Sequence, residues 1–145
     1  MEVCPTDILL APAERIWHLL TDPRKLAQWT GLKLVEGPAC LMSAGDHLVL
    51  GAFGLRITFD VLEMRPPREF TLDVGLPFGV TNHERVEITP IDAHSSRVTF
   101  NRHFVFPPGW RGQLIMKILG RRFVTRPADS LRRLKRAAEQ DPILA

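Results

Sequence analysis

Two charged residues stand where apolar ones are expected. In "VTNHERVEIT", residues 80–89, one alternating set reads Val80, Asn82, Glu84, Val86 and Ile88. The other set, Thr81, His83, Arg85, Glu87 and Thr89, is wholly polar. Side chains on a strand alternate between faces, so the polar set faces water and Glu84 faces inward. In "RVTFNRHFVF", residues 97–106, Val98, Phe100, Phe104 and Phe106 share a face that Arg102 interrupts. Pairing through the turn at residues 90–96 sets Glu84 opposite Arg102. The same register sets Val86 against Phe100, Asn82 against Phe104 and Val80 against Phe106. A one-residue slip would turn whole faces over, and the polar sets forbid it.

A carboxylate buried alone is costly, but a facing guanidinium can hold it by two hydrogen bonds. Two readings stay open. The pair closes on itself or lies at a watered mouth, and its role is structural. Alternatively, it is a polar anchor in an apolar cavity, orienting a ligand hydroxyl, carbonyl or carboxylate. Glu84 and Arg102 are also the catalytic candidates, with Glu84 as a general acid or base. Asn82 belongs to the same face, and Phe59, Leu72, Phe100 and Phe104 point inward by alternation. They are core residues first, and ligand-binding residues where a cavity exists.

The outer face offers less. His83 and His103 fall opposite each other, and with Asp73 on a neighbouring strand they resemble a three-ligand metal set. An exposed cross-strand pair is the simpler reading, and no metal is expected. His18, His47 and His94 have no evident partners. Cys4 and Cys40 fall in no metal or redox spacing and read as two reduced thiols. There is no nucleophile elbow, phosphate loop or dinucleotide fingerprint. NAD, ATP and metal chemistry are therefore not expected, and no cofactor is.

The elements that position these residues follow from periodicity. Val3 to Leu10 suits a first strand, irregular at Pro5. Ile16, Leu19 and Leu20 then recur at helical spacing, with Trp17 expected in the core. Asp22-Pro23 restarts a second short helix. From about residue 33 to 106 the period is two. "KLVEGPACL" is a weak strand, and two strands turn at Gly51-Ala52-Phe53-Gly54. "RPPR" and "PIDAHSS" are further breaks. After "PPGW" the helical period returns. Leu114, Ile115, Ile118 and Leu119 form an apolar stripe, continued by Phe123, Leu131, Leu134 and Ala138. This predicts one long helix, kinked or broken near Pro127 and covering the sheet, with Trp110 packed at its start. Arg132, Arg133, Lys135 and Arg136 fall mostly on its wet side. The fold class is α+β.

The chain has 145 residues, 45% hydrophobic and 24% charged. That suits a single domain spanning residues 1–145, with a core that needs no staples. No signal-peptide pattern or membrane-spanning run is seen, so a cytoplasmic protein without stable membrane insertion is expected. Residues 1–110 carry 10 Lys+Arg against 13 Asp+Glu, whereas residues 111–145 carry 9 against 3. No aromatic or Gly-rich interleaving accompanies that basic end, so nucleic acid is not an expected partner. A homodimer is left open.

"APAERIWHLLTDPRKLAQW" resembles the N-terminal signature of the SRPBCC or START-like superfamily, through Ala11, Pro12, Glu14, Ile16, Trp17, Asp22, Pro23 and Trp29. "VLEMRPPREFTL" resembles the family's valine-x-glutamate, proline-proline segment, and "LRRLKRAAE" its closing helix. The likeness favours the polyketide cyclase/dehydrase-like branch. It implies a helix-grip fold: a curved antiparallel sheet of about seven strands around a long C-terminal helix, with two short helices after the first strand. It also implies a largely hydrophobic cavity, with Trp29 at its rim as a ligand wall. Members bind lipids, sterols or polyketides, and some cyclise or dehydrate polyketides. The expected partner is a hydrophobic or aromatic small molecule. The alternatives are a cyclase or dehydratase, and a membrane or protein interaction module using the basic last helix.

Overall fold

Neighbouring segments pair antiparallel almost in chain order, as short polar turns between alternating runs require. The computed structural model describes residues 1–52 and 54–140. Its elements are β1 (Glu2–Val3), β2 (Thr6–Leu9), α1 (Ala13–Thr21), α2 (Pro23–Thr30), β3 (Lys33–Glu36), β4 (His47–Ala52), β5 (Leu55–Arg65), β6 (Glu69–Gly75), β7 (Thr81–Asp92), β8 (Ser95–Val105) and α3 (Trp110–Gln140). One sheet runs β3-β4-β5-β6-β7-β8, and β1 and β2 both add to the far side of β8. The first strand is thus two pieces, because Cys4 and Pro5 interrupt its ladder. The Pro5 carbonyl still accepts from the Phe100 amide at 3.0 Å. The expected weak strand shrinks to Lys33–Glu36 ahead of Gly37-Pro38. The expectation for Phe53 in the β4–β5 turn lies outside the described residues, as does that for the Phe123 side chain.

The second short helix forms where its caps say it should. Asp22 accepts from the Arg24 amide at 3.0 Å, Pro23 opens α2, and Gly31 closes it with φ of 75°. The core lies between the inward sheet face, α1 and the second half of α3. Trp17 meets Phe70 edge to face, with centroids 5.6 Å apart. Leu131, Leu134 and Ala138 on α3 are buried with Ile16, Leu48 and Phe100.

Two expectations are corrected at α3, the continuous apolar stripe and the packing of Trp110. The helix runs unbroken from Trp110 to Gln140 with Pro127 inside it and buried. Its apolar stripe is not continuous. Leu114 is 46% exposed, Ile118 67% and Trp110 68%. Phase is part of the reason, although Met116, which shares the phase of Leu134, is also 46% exposed, so this half of the helix is little covered on that side too. Ile118 and Leu114 stand 16 and 20 residues before Leu134, which at about 100° per residue puts each about 160° from it around the helix. When Leu134 faces the core, Leu114 and Ile118 face away. Trp110 does not pack at the helix entrance as expected. The start of α3 is seated instead by Gly112, which has no room for a side chain: a Cβ there would clash with the Pro107 carbonyl.

Candidate functional site

The long strands β7 and β8 carry the inward polar residues, and their register is the one the alternation implies. Glu84 pairs with Arg102, Asn82 with Phe104 and Val86 with Phe100. Val80 and Phe106 lie one step beyond the last paired residues, Thr81 and Val105. On the other side β6 sets Leu72 against Glu84 and Val74 against Asn82. Phe59 on β5 lies beyond Val74, and Val61 beyond Leu72. The inward face thus carries two adjoining rows: Phe59, Val74, Asn82, Phe104, then Val61, Leu72, Glu84, Arg102.

Glu84 and Arg102 are joined, but not by two bonds. Arg102 Nε donates to Glu84 Oε1 at 2.6 Å. The guanidinium also lies over the Phe100 ring, 5.3 Å from its centroid. Glu84 is 6% exposed, and the Arg102 side chain 17%. The second carboxylate oxygen and the outer guanidinium nitrogens make no further bonds among the described residues. Asn82 is buried at 4% exposure, and its Oδ1 has no hydrogen-bond partner among them. Such a group costs about 1–3 kcal/mol when left unmade.

The apolar candidates divide. Leu72, Phe100 and Phe104 are fully buried around this trio, while Phe59 is half-buried. The indole Nε1 of Trp29 donates to the Leu19 carbonyl at 2.8 Å, tying α2 to α1. On β5 to β8 the inward set contains no titratable side chain besides Glu84 and Arg102.

The outer face is a network of exposed pairs. Asp73 bonds His83 at 2.8 Å, and Glu2 lies 3.4 Å from His103. Glu69 is gripped by Arg85 at 2.6 Å and Arg65 at 3.1 Å. The Arg85 hydrogen bond holds its carboxyl below the ordinary value of 4.5. No group of three His, Cys, Asp or Glu among the described residues is arranged to hold a metal ion. Two open depressions lie away from the trio. One of about 380 Å³ sits between the β5–β6 turn and β7, and one of about 550 Å³ between Gly31, β3 and the β4–β5 turn.

An antiparallel sheet gripping a C-terminal helix has known relatives. The family of polyketide cyclases, dehydrases and lipid-transport proteins matches residues 6–139. The chain belongs to that family. No curated protein matches it. Among solved structures, DynU16, a protein in the dynemicin biosynthetic locus, superposes with a TM-score of 0.70 at 20% identity, covering 93% of this chain. The chain spans about half of DynU16, 46% of its length. MLL2253 from Mesorhizobium loti gives 0.72 at 15% identity, covering 99% of this chain and 100% of the other. The Aha1 dimer from Colwellia psychrerythraea gives 0.72 at 17%, covering 96% of each. At these identities the structures establish the helix-grip fold and no more. Family and fold together support a ligand-binding domain of the polyketide cyclase-like, SRPBCC kind. No helix among the described residues is long and apolar enough to cross a membrane.

The sequence placed the trio correctly but did not mark Asn82 as its unmet member. No sequence signal carries that, because satisfaction depends on what packs above the strand. The exposed row on α3 was missed although its signal was present: the spacing to Leu134.

Proposed function

We propose that the chain binds a hydrophobic or aromatic small molecule in a cavity between the inward sheet face and α3. A ligand hydroxyl sits on Asn82, and a ligand carbonyl or carboxylate on the outer nitrogens of Arg102. The unpartnered, buried Oδ1 of Asn82 carries this reading, because it leaves a directional hydrogen bond to be made in an apolar surround. The Glu84–Arg102 bond holds the guanidinium in place for that role. A cyclase or dehydratase is the second reading, favoured by the uncommitted oxygen of Glu84. It has less support, because one oxygen of the Glu84 carboxylate is already committed to Arg102.

The test uses native mass spectrometry of the purified protein, then titration with 1-anilinonaphthalene-8-sulfonate, an aromatic anion. A co-purified small molecule, and sulfonate-probe affinity lowered about tenfold in Glu84→Gln/Arg102→Met, are the expected results. Probe affinity unchanged in that folded double variant would refute the anchor. Turnover of a polyketide-like substrate that Glu84→Gln abolishes while binding survives would favour the enzyme.

A further inference from the structure

The first half of α3 has the wrong side out for a helix whose only task is to cover the sheet. Trp110, Leu114 and Ile118 recur every four residues, and all three are exposed. They form a row about 80° wide on the side away from Leu134. Cations surround the row. Residues 107–128 contain Arg111, Lys117, Arg121, Arg122 and Arg126 and no Asp or Glu. All five are exposed. By helical angle, Arg121 lies within the row, Arg111 and Arg122 flank one edge and Lys117 the other.

A second large aromatic stands at the same end of the sheet. Phe78, in the β6–β7 turn, is 65% exposed and held at φ of 67°. That backbone region is unfavourable for a bulky side chain. The turn leans on the segment entering α3, since a Cβ on Gly79 would meet Pro107 Cγ at 3.2 Å.

We infer that this face, the first half of α3 with the Phe78 turn, docks on the surface of an anionic bilayer. The chemistry fits that occupant in three ways. An apolar row flanked on both sides by long cationic side chains lies in the headgroup boundary, where the stems stay apolar and the charges reach phosphates. Tryptophan at the end of such a row prefers that same boundary. An unbroken positive charge without interleaved acids complements anionic lipid, whereas a folded protein partner is ordinarily met with charges of both signs. Docking here would be peripheral, and it is independent of how the inward trio is used.

Co-sedimentation with vesicles tests it. Phosphatidylcholine vesicles containing 30% phosphatidylglycerol are compared with pure phosphatidylcholine, from low to high salt. Binding is expected to the anionic vesicles only and to fall steeply with salt. Arg121→Gln/Arg122→Gln should weaken partitioning about 30-fold, at roughly a factor of five per cation. Ile118→Asp should abolish it, and an unchanged melting temperature would show that the fold survives. Probe binding by the inward site should be unaffected in both variants, so failure of either proposal is told from failure of the other. No binding to anionic vesicles, or binding that survives Ile118→Asp, would overturn the inference. So would a concentration-dependent dimer in analytical ultracentrifugation that Ile118→Asp dissociates, because the face would then be covered by a second copy.

Discussion

Asn82 and Glu84 are two positions apart on one inward edge of β7, yet they differ in what they lack. Glu84 has its cation, and Asn82 has no partner for its oxygen among the described residues. Replacing Asn82 with leucine should therefore raise stability by about 1 kcal/mol while weakening any ligand that bonds there. Chemical denaturation and probe titration of the same variant check both signs. A destabilised Asn82→Leu would mean that the amide is satisfied in solution. At Arg102 the expectation reverses. Arg102→Met alone strands the Glu84 carboxylate among Leu72, Phe100 and Phe104. It should cost about 2 kcal/mol, less than a fully buried pair because the guanidinium is partly wet. Adding Glu84→Gln should recover most of that loss. The pair itself was legible in the sequence, since each is the one charged residue of its inward set. The single bond between them was not, because rotamer and side-chain reach decide it.

At the scale of elements, α3 divides into two halves with opposite duties. Leu134→Ala should destabilise the fold by about 3 kcal/mol, since its side chain is fully enclosed. Ile118→Ala should change stability by less than about 0.5 kcal/mol. Thermal unfolding of the two variants separates the halves, and comparable losses would contradict the phase. The strands were more legible than this helix. On β7 and β8 an outer set polar but for the terminal Val105 and Ile91 left one consistent register, and a two-residue period cannot drift. On α3 the apolar residues before Gly120 and after Pro127 each form a reasonable stripe. Only their phase across sixteen to twenty residues shows that the stripes face opposite ways. The split of the first strand was announced by Pro5, whereas the end of β3 was blurred by the apolar residues after Gly37-Pro38.

At the scale of the whole molecule, charge is partitioned by face. The outer sheet surface pairs its acids and bases, the inner face keeps one pair, and the surplus cations sit on α3. Two carboxylates, the half-buried Glu69 and the exposed Asp92, give this a pH signature. Glu69 is held below its ordinary value of 4.5 chiefly by Arg85, and Asp92 below 3.8 chiefly by the His94 amide. The folded chain therefore keeps these groups ionised at pH values where the unfolded chain has begun to protonate them. The stability they contribute is present above about pH 4.5 and is lost as pH falls through the lowered values. Glu69→Gln should flatten the acid side of the melting-temperature profile and leave the neutral side nearly parallel.

The central claim is that the inward trio, and not the outer face or the groove beside Gly51, meets the ligand. An NMR titration with 1-anilinonaphthalene-8-sulfonate, following the Asn82 side-chain amide and the Arg102 Nε–H, tests it most directly. The account predicts saturable shifts at both groups and at the Leu72, Phe100 and Phe104 amides, with those of His83 and His103 little changed. Shifts confined to the Gly51 groove or to the exposed half of α3, with Asn82 and Arg102 unmoved, would contradict it.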